Sequence, residues 1–80
     1  MRLEMNNSGA WKLVLSGLQY DSTALDEAKT AAATLASIDA DQGARRPLSW
    51  RLVSEADGAV IEHCCGADGW QPAYSARRAA

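Results

Sequence analysis

Phenylalanine is absent, histidine occurs once, proline twice, and the two cysteines, Cys64 and Cys65, are neighbours. Each scarcity excludes something. Adjacent cysteines cannot frame a disulfide-stapled miniprotein, which needs spaced pairs. On a strand they point to opposite faces, and bridging them would take a strained local turn. They read as two reduced thiols of a reducing compartment. Neither sign of charge dominates: 8 basic and 10 acidic residues leave a formal charge of −2. That argues against a sequence-specific nucleic-acid binder with a basic face and against a Lys/Arg-rich helix lying on a membrane. The apolar run Leu13–Leu15 is far too short to span a bilayer. Residues 1–10 are polar, contain Glu4 and form no secretory segment. The expected location is cytoplasmic, and Met5 is an alternative start.

Eighty residues suit one domain. A chain of this size buries only roughly 60% of the surface exposed on unfolding, so its core is thin. Its large apolar side chains are Trp11, Trp50, Trp70, Tyr20, Tyr74 and a few Leu, Ile and Val. Such a core leaves little room for a ligand pocket of ~300 Å³ or more.

Residues 11–16 alternate as a strand, with Trp11, Leu13 and Leu15 on one face, and Gly17 ends it. Asp21, Ser22 and Thr23 are N-cap residue types, and Asp26 and Glu27 suit the first turn of a helix. The helix is expected over 23–38, with Ala24, Ala28, Ala31, Leu35 and Ile38 as its buried stripe and Leu25 and Ala32 at the margin. Gly43 and Pro47 close it. Residues 48–55 and 59–65 form a hairpin around Asp57-Gly58, a type I′ signal. A two-residue turn pairs Leu52 with His63 and Trp50 with Cys65, whereas a three-residue loop would bring Glu62 to the core face. The first register is preferred. Asp68-Gly69 marks another turn, and Trp70–Tyr74 suit a short edge strand that tolerates Pro72.

The expected fold is a small α+β domain of order β-α-β-β(-β), an antiparallel sheet with one helix across one face. Residues 1–10 form a flexible lead-in, 11–74 the domain and 75–80 a frayed tail. Lys12, Val14, Arg51, Val53, Glu62 and Cys64 are expected on the open sheet face.

Known chemistries fit poorly. His63-Cys64-Cys65 lacks the spacing and fourth ligand of a zinc site. His63 and Cys65 share a face, but at ~3.3 Å rise per residue their Cβ atoms lie about 7 Å apart, too far for a Cys–His pair. Asp39 and Asp41 lack the further oxygens of a calcium loop. The Gly17 turn has no phosphate cradle and no Walker lysine. No catalytic residue, metal or cofactor is therefore expected. Arg45-Arg46 and Arg77-Arg78 are charge pairs of the kind that usually serve solubility. Trp70, on an edge strand, is the aromatic most suited to a binding surface.

The segment Ala24-Leu25-Asp26-Glu27-Ala28-Lys29, then Trp50-Arg51-Leu52, the Asp57-Gly58 turn and Asp68-Gly69-Trp70 give a pattern over about residues 24–74. It resembles small phage-borne anti-CRISPR proteins that target type I Cascade complexes. The resemblance implies a strand, a helix and an antiparallel meander. It also implies a stoichiometric, non-catalytic inhibitor, working in the host cytoplasm. Such an inhibitor sits on the Cascade surface, often on its backbone subunits, and blocks target DNA or nuclease recruitment. Candidate contacts are then Asp39, Asp41, Arg45 and Arg46 in the loop and Arg51 and Glu62 on the open face, with Trp70 beside them. The alternative is a self-associating structural or regulatory module, a homodimer built on the open face, an edge strand and an intermolecular disulfide through an outward Cys64.

Overall fold

The computed structural model describes residues 1–7, 9–43 and 48–73. Among these residues five strands form one antiparallel sheet, and one helix packs against it. The strands are β1 (Arg2–Asn6), β2 (Trp11–Leu15), β3 (Ser49–Val53), β4 (Val60–Cys65) and β5 (Trp70–Pro72), and the helix is α1 (Thr23–Asp41). A 3₁₀ turn, Gly66–Asp68, joins β4 to β5. The sheet order is β2-β1-β3-β4-β5. The expected α+β class and the antiparallel sheet with one helix across a face are what the chain adopts.

The expected lead-in is instead a strand. β1 lies between β2 and β3, with Leu3 paired to Leu52 and Met5 to Trp50. Its inward residues are Leu3 and Met5, and its outward ones Arg2, Glu4 and Asn6. An alternation that mild passes for a polar leader until it has neighbours on both sides.

Ser22 caps the helix: its Oγ accepts from the Leu25 amide at 3.1 Å. The buried stripe is Leu25, Ala32 and Ala36, and Leu35 and Ile38 stand about half exposed. The helix is thus rotated from the expected stripe. Alanine at both Ala32 and Ala36 brings the backbone close to Leu3, Trp50 and Cys64, with which they form one core. The longer side chain of Lys29, on the same flank, reaches over the sheet and meets the Glu62 carboxylate at 2.8 Å.

That contact goes with the hairpin register. Trp50 pairs with Cys64, Arg51 with His63 and Leu52 with Glu62, so the preferred two-residue turn is not the one formed. Type I′ needs left-handed backbone at both central residues, but only Gly58 has it (φ +73), and Asp57 does not. Asp57 Oδ1 instead accepts from the Ala59 amide at 3.0 Å, and the Gly58 amide donates to Ser54 O at 2.8 Å. A register shift between Leu52 and Val53 completes the longer turn. Glu62 therefore lies on the helix side, where Lys29 neutralises it, and not on the open face.

Shifting a strand by one residue exchanges its faces. Cys64 is consequently buried (0% exposed), and the outward thiol is Cys65. The expected outward Cys64 is corrected by this geometry, and an intermolecular disulfide through it would require unfolding. Burial pushes the Cys64 thiol above its ordinary range, and the charges of Cys65 and Asp68 add to this. A maleimide or iodoacetamide at neutral pH should therefore label the folded chain once, at Cys65, and a second time only in denaturant. Peptide mapping by mass spectrometry checks the assignment, and rapid labelling of native Cys64 would contradict the register.

Candidate functional site

The helix packs on β3, β4 and the 3₁₀ turn. The other end of the sheet is left bare. Every residue of β2 is exposed, including Trp11 (38%), Leu13 (59%), Val14 and Leu15. Trp11, Leu13 and Leu15 were expected in the core by their alternation. Trp11 and Leu13 are exposed because the register places them on the face away from the helix, and Leu15, opposite the inward Leu3 after a register shift, because β2 is an edge strand beyond the reach of the helix. Among the described residues β2 pairs only with β1.

On the face away from the helix, register places Leu13, Glu4, Arg51, His63 and Gln71 in one row across all five strands. A second row holds Trp11, Asn6, Ser49 and Cys65. The first row is electrostatically knit. Arg51 Nε donates to Glu4 Oε1 at 2.6 Å, and Arg2 Nε lies 3.3 Å from Glu4 Oε2. The Arg51 guanidinium sits over the Trp11 ring, 4.3 Å from its centroid. A contact of this kind contributes about 0.5–1 kcal/mol at an exposed site. Here its main effect is geometric, since it holds the indole across the sheet beside a charged, half-buried arginine. Ser49 Oγ lies 3.6 Å from Cys65 Sγ at the far end of the second row. This face thus offers an aromatic plate, apolar strand residues and a fixed guanidinium.

Of the sequence candidates, Arg51 belongs to this surface. Glu62 does not, because it is tied to Lys29 on the helix side. Asp39 accepts from the Leu48 amide through Oδ2 at 2.8 Å, which fixes the chain as it enters β3, and Asp41 is exposed at the helix end. Trp70 is half-buried. Its Nε1 donates to the Lys29 carbonyl at 2.8 Å, with the Lys29 ammonium 5.5 Å from the ring centroid, so it clamps β5 to the helix. Arg45, Arg46, Arg77 and Arg78 lie outside the described residues. Trp11, Glu4 and Arg2 were missed as surface groups. The signal for them was the alternation Arg2, Glu4, Asn6 against Leu3, Met5, which marks a strand whose outward side is charged.

His63 and Cys65 do share the open face, while Cys64 lies on the other. Among the described residues no group of three or more His, Cys, Asp or Glu side chains is placed to hold a metal ion. No helix of the described residues is long and apolar enough to cross a membrane. A groove of about 680 Å³, open to solvent, runs along α1 beside Trp70, with Lys29, Thr30 and Ala33 among its walls.

At the other end of the sheet, Glu55 Oε1 takes the Met1 ammonium at 2.7 Å and the Gly17 amide at 3.0 Å. The bond to the ammonium, then that to Gly17, lowers the Glu55 carboxyl below its ordinary range. A carboxyl so lowered stabilises the fold above the ordinary carboxylate range, and the effect is lost as pH falls through the lowered value.

No protein family, curated protein or solved structure matches this chain. Its function is read from its own geometry.

Proposed function

We propose that this protein acts by binding another protein through the uncovered half of its sheet, formed by β2 and the open face around Trp11 and Arg51. The observation that carries the reading is β2 itself. Solvent-exposed apolar residues scattered singly are ordinary, but contiguous ones mark interaction surfaces. Here four large apolar side chains stand exposed in one five-residue strand. A strand edge adds main-chain hydrogen bonds to a partner, and alternate side chains give selectivity. The paired Arg51 and Glu4 would supply a polar rim, and Trp11 and Arg51 are residue types enriched at binding hot spots.

The test is a photo-crosslinking amino acid placed at position 13, with position 34 on the exposed side of α1 as the control. Protein adducts from position 13 and none from position 34 are expected in the cells that produce the chain. No adduct at position 13 would sink the reading.

Within it, the partner that the sequence resemblance implies is a type I Cascade assembly, held as by a stoichiometric inhibitor. The support for that partner is the pattern of residues 24–74, together with a compact and mildly acidic chain suited to cover a basic DNA path. Co-elution of the tagged chain with purified Cascade tests it. Failure to co-elute removes this partner and leaves β2 as a surface for another.

A further inference from the structure

We infer that the open sheet face takes an acidic partner, and that the Arg2–Glu4–Arg51 cluster seats a carboxylate side chain of a bound protein segment whose apolar residues lie against Trp11 and Leu13. The inference rests on the reading of the uncovered half-sheet as a protein-binding surface and names the chemistry of what it binds.

The face has a charge opposite to that of the chain. The chain carries 10 acidic residues and a formal charge of −2. Of these acids, Glu4 alone stands at an outward strand position, the rest lying on α1, in turns or on the helix side of β4. Against that one carboxylate, β1 and β3 set two guanidiniums, Arg2 and Arg51.

Glu4 cannot serve both. Its Oε1 accepts from Arg51 Nε at 2.6 Å, while Arg2 Nε stays 3.3 Å from Oε2, buried and with no hydrogen-bond partner among the described residues. A guanidinium carries five N–H donors in a planar fork, so two of them outnumber the lone pairs of a single carboxylate. The side chains of Arg2 and Arg51 are 36% and 28% exposed, which lets water meet the remaining donors in the free chain. A bound protein excludes that water. Covering an uncompensated charge is strongly unfavourable, whereas covering one that is paired and hydrogen-bonded is tolerated. A partner on this face must therefore bring a negative group. Arg51 is set to receive it, because stacking on Trp11 already fixes its guanidinium.

The surplus is a single charge beside exposed Trp11 and Leu13. A phosphate chain is drawn by many basic groups, and the acids elsewhere on this chain repel a polyanion. A carboxylate flanked by apolar residues fits better. A basic surface would have to meet another side of the molecule.

The probes are three acetylated and amidated tripeptides, Leu-Glu-Leu, Leu-Gln-Leu and Leu-Lys-Leu, with oligothymidylate as the nucleic-acid arm. Each is titrated into the ¹⁵N-labelled chain, and the arginine Nε–H and indole N–H resonances are followed. Leu-Glu-Leu should shift the Arg2, Arg51 and Trp11 signals and saturate in the range of about 1–10 mM, as a ligand of this size allows. It should bind about five-fold tighter than Leu-Gln-Leu, the effect of one partly exposed ion pair, and Leu-Lys-Leu should shift none of the three. Arg51→Gln should bring Leu-Glu-Leu down to the affinity of Leu-Gln-Leu and leave Leu-Gln-Leu unchanged. Glu4→Gln, which frees both guanidiniums, should tighten Leu-Glu-Leu by about three-fold or more, a gain that a merely structural role for the cluster does not give. No binding of Leu-Glu-Leu at 10 mM, equal affinity for the glutamine peptide, or weaker binding by Glu4→Gln overturns the inference. So does oligothymidylate binding more tightly than Leu-Glu-Leu, which would give the face to nucleic acid. Should Arg51→Gln not fold, Glu4→Gln decides. A protein adduct at position 13 without any preference for glutamate would keep the broader reading while removing this one.

Discussion

A chain starting at Met5 is expected to lose its cooperative fold. Removing residues 1–4 takes Arg2, Leu3 and Glu4 out of β1, the strand that joins β2 to the rest of the sheet. Leu3 is 3% exposed and belongs to the core with Ala32, Ala36, Trp50 and Cys64. Burying one leucine is worth about 1.5–3 kcal/mol. The truncation also breaks the backbone ladder on both sides of β1 and leaves Arg51 without Glu4. A domain of this length has a total stability of only about 4–12 kcal/mol at ~0.05–0.15 kcal/mol per residue. The losses are of the same size as the whole. The truncated chain should show a collapsed amide proton spectrum and no sigmoidal melt. A cooperative transition within a few degrees of the full chain would mean that β1 is ornamental.

The sequence made the helix and the hairpin legible for local reasons. Ser22 is an N-cap type, Asp26 suits the first turn, and the segments 48–55 and 59–65, which contain β3 and β4, carry strand patterns on either side of a turn signal. What escaped was decided by tertiary placement. Both candidate stripes of α1 are rich in alanine, so hydrophobicity could not choose between Ala24-Ala28-Ala31-Leu35-Ile38 and Leu25-Ala32-Ala36. The choice follows from the close fit of Ala32 and Ala36 against Trp50 and Cys64 and from the Lys29–Glu62 pair. The register of the hairpin turned on side chains that serve the loop. Asp57 bonds the Ala59 amide, and Glu55 reaches out to Met1 and Gly17. Neither appears in a dipeptide rule. With the register came the faces, and with the faces the exchange of Cys64 and Cys65. The candidate site was hardest to read, because β2 has the composition of a core strand. Its exposure follows from its place at the end of the strand order, which depends on β1 being a strand.

Leu52→Ala and Leu13→Ala remove the same atoms and should have opposite fates. Leu52 is 0% exposed, lies in the central strand β3 and sits opposite both Leu3 and Glu62. Truncating a leucine so enclosed costs the transfer energy of its methyl groups and leaves a cavity, about 2–5 kcal/mol in all. For a domain of this size each kcal/mol is worth about 4–8 °C in Tm, so a fall of about 10 °C or more is expected. Leu13 is 59% exposed. Its truncation should stay within about 0.5 kcal/mol, as for surface substitutions generally. Urea titration gives both values. Since Leu13 and Leu52 look equally suited to a core in their alternating segments, similar costs at the two positions would put β2 back under cover. The free edge, and the binding read from it, would go with it.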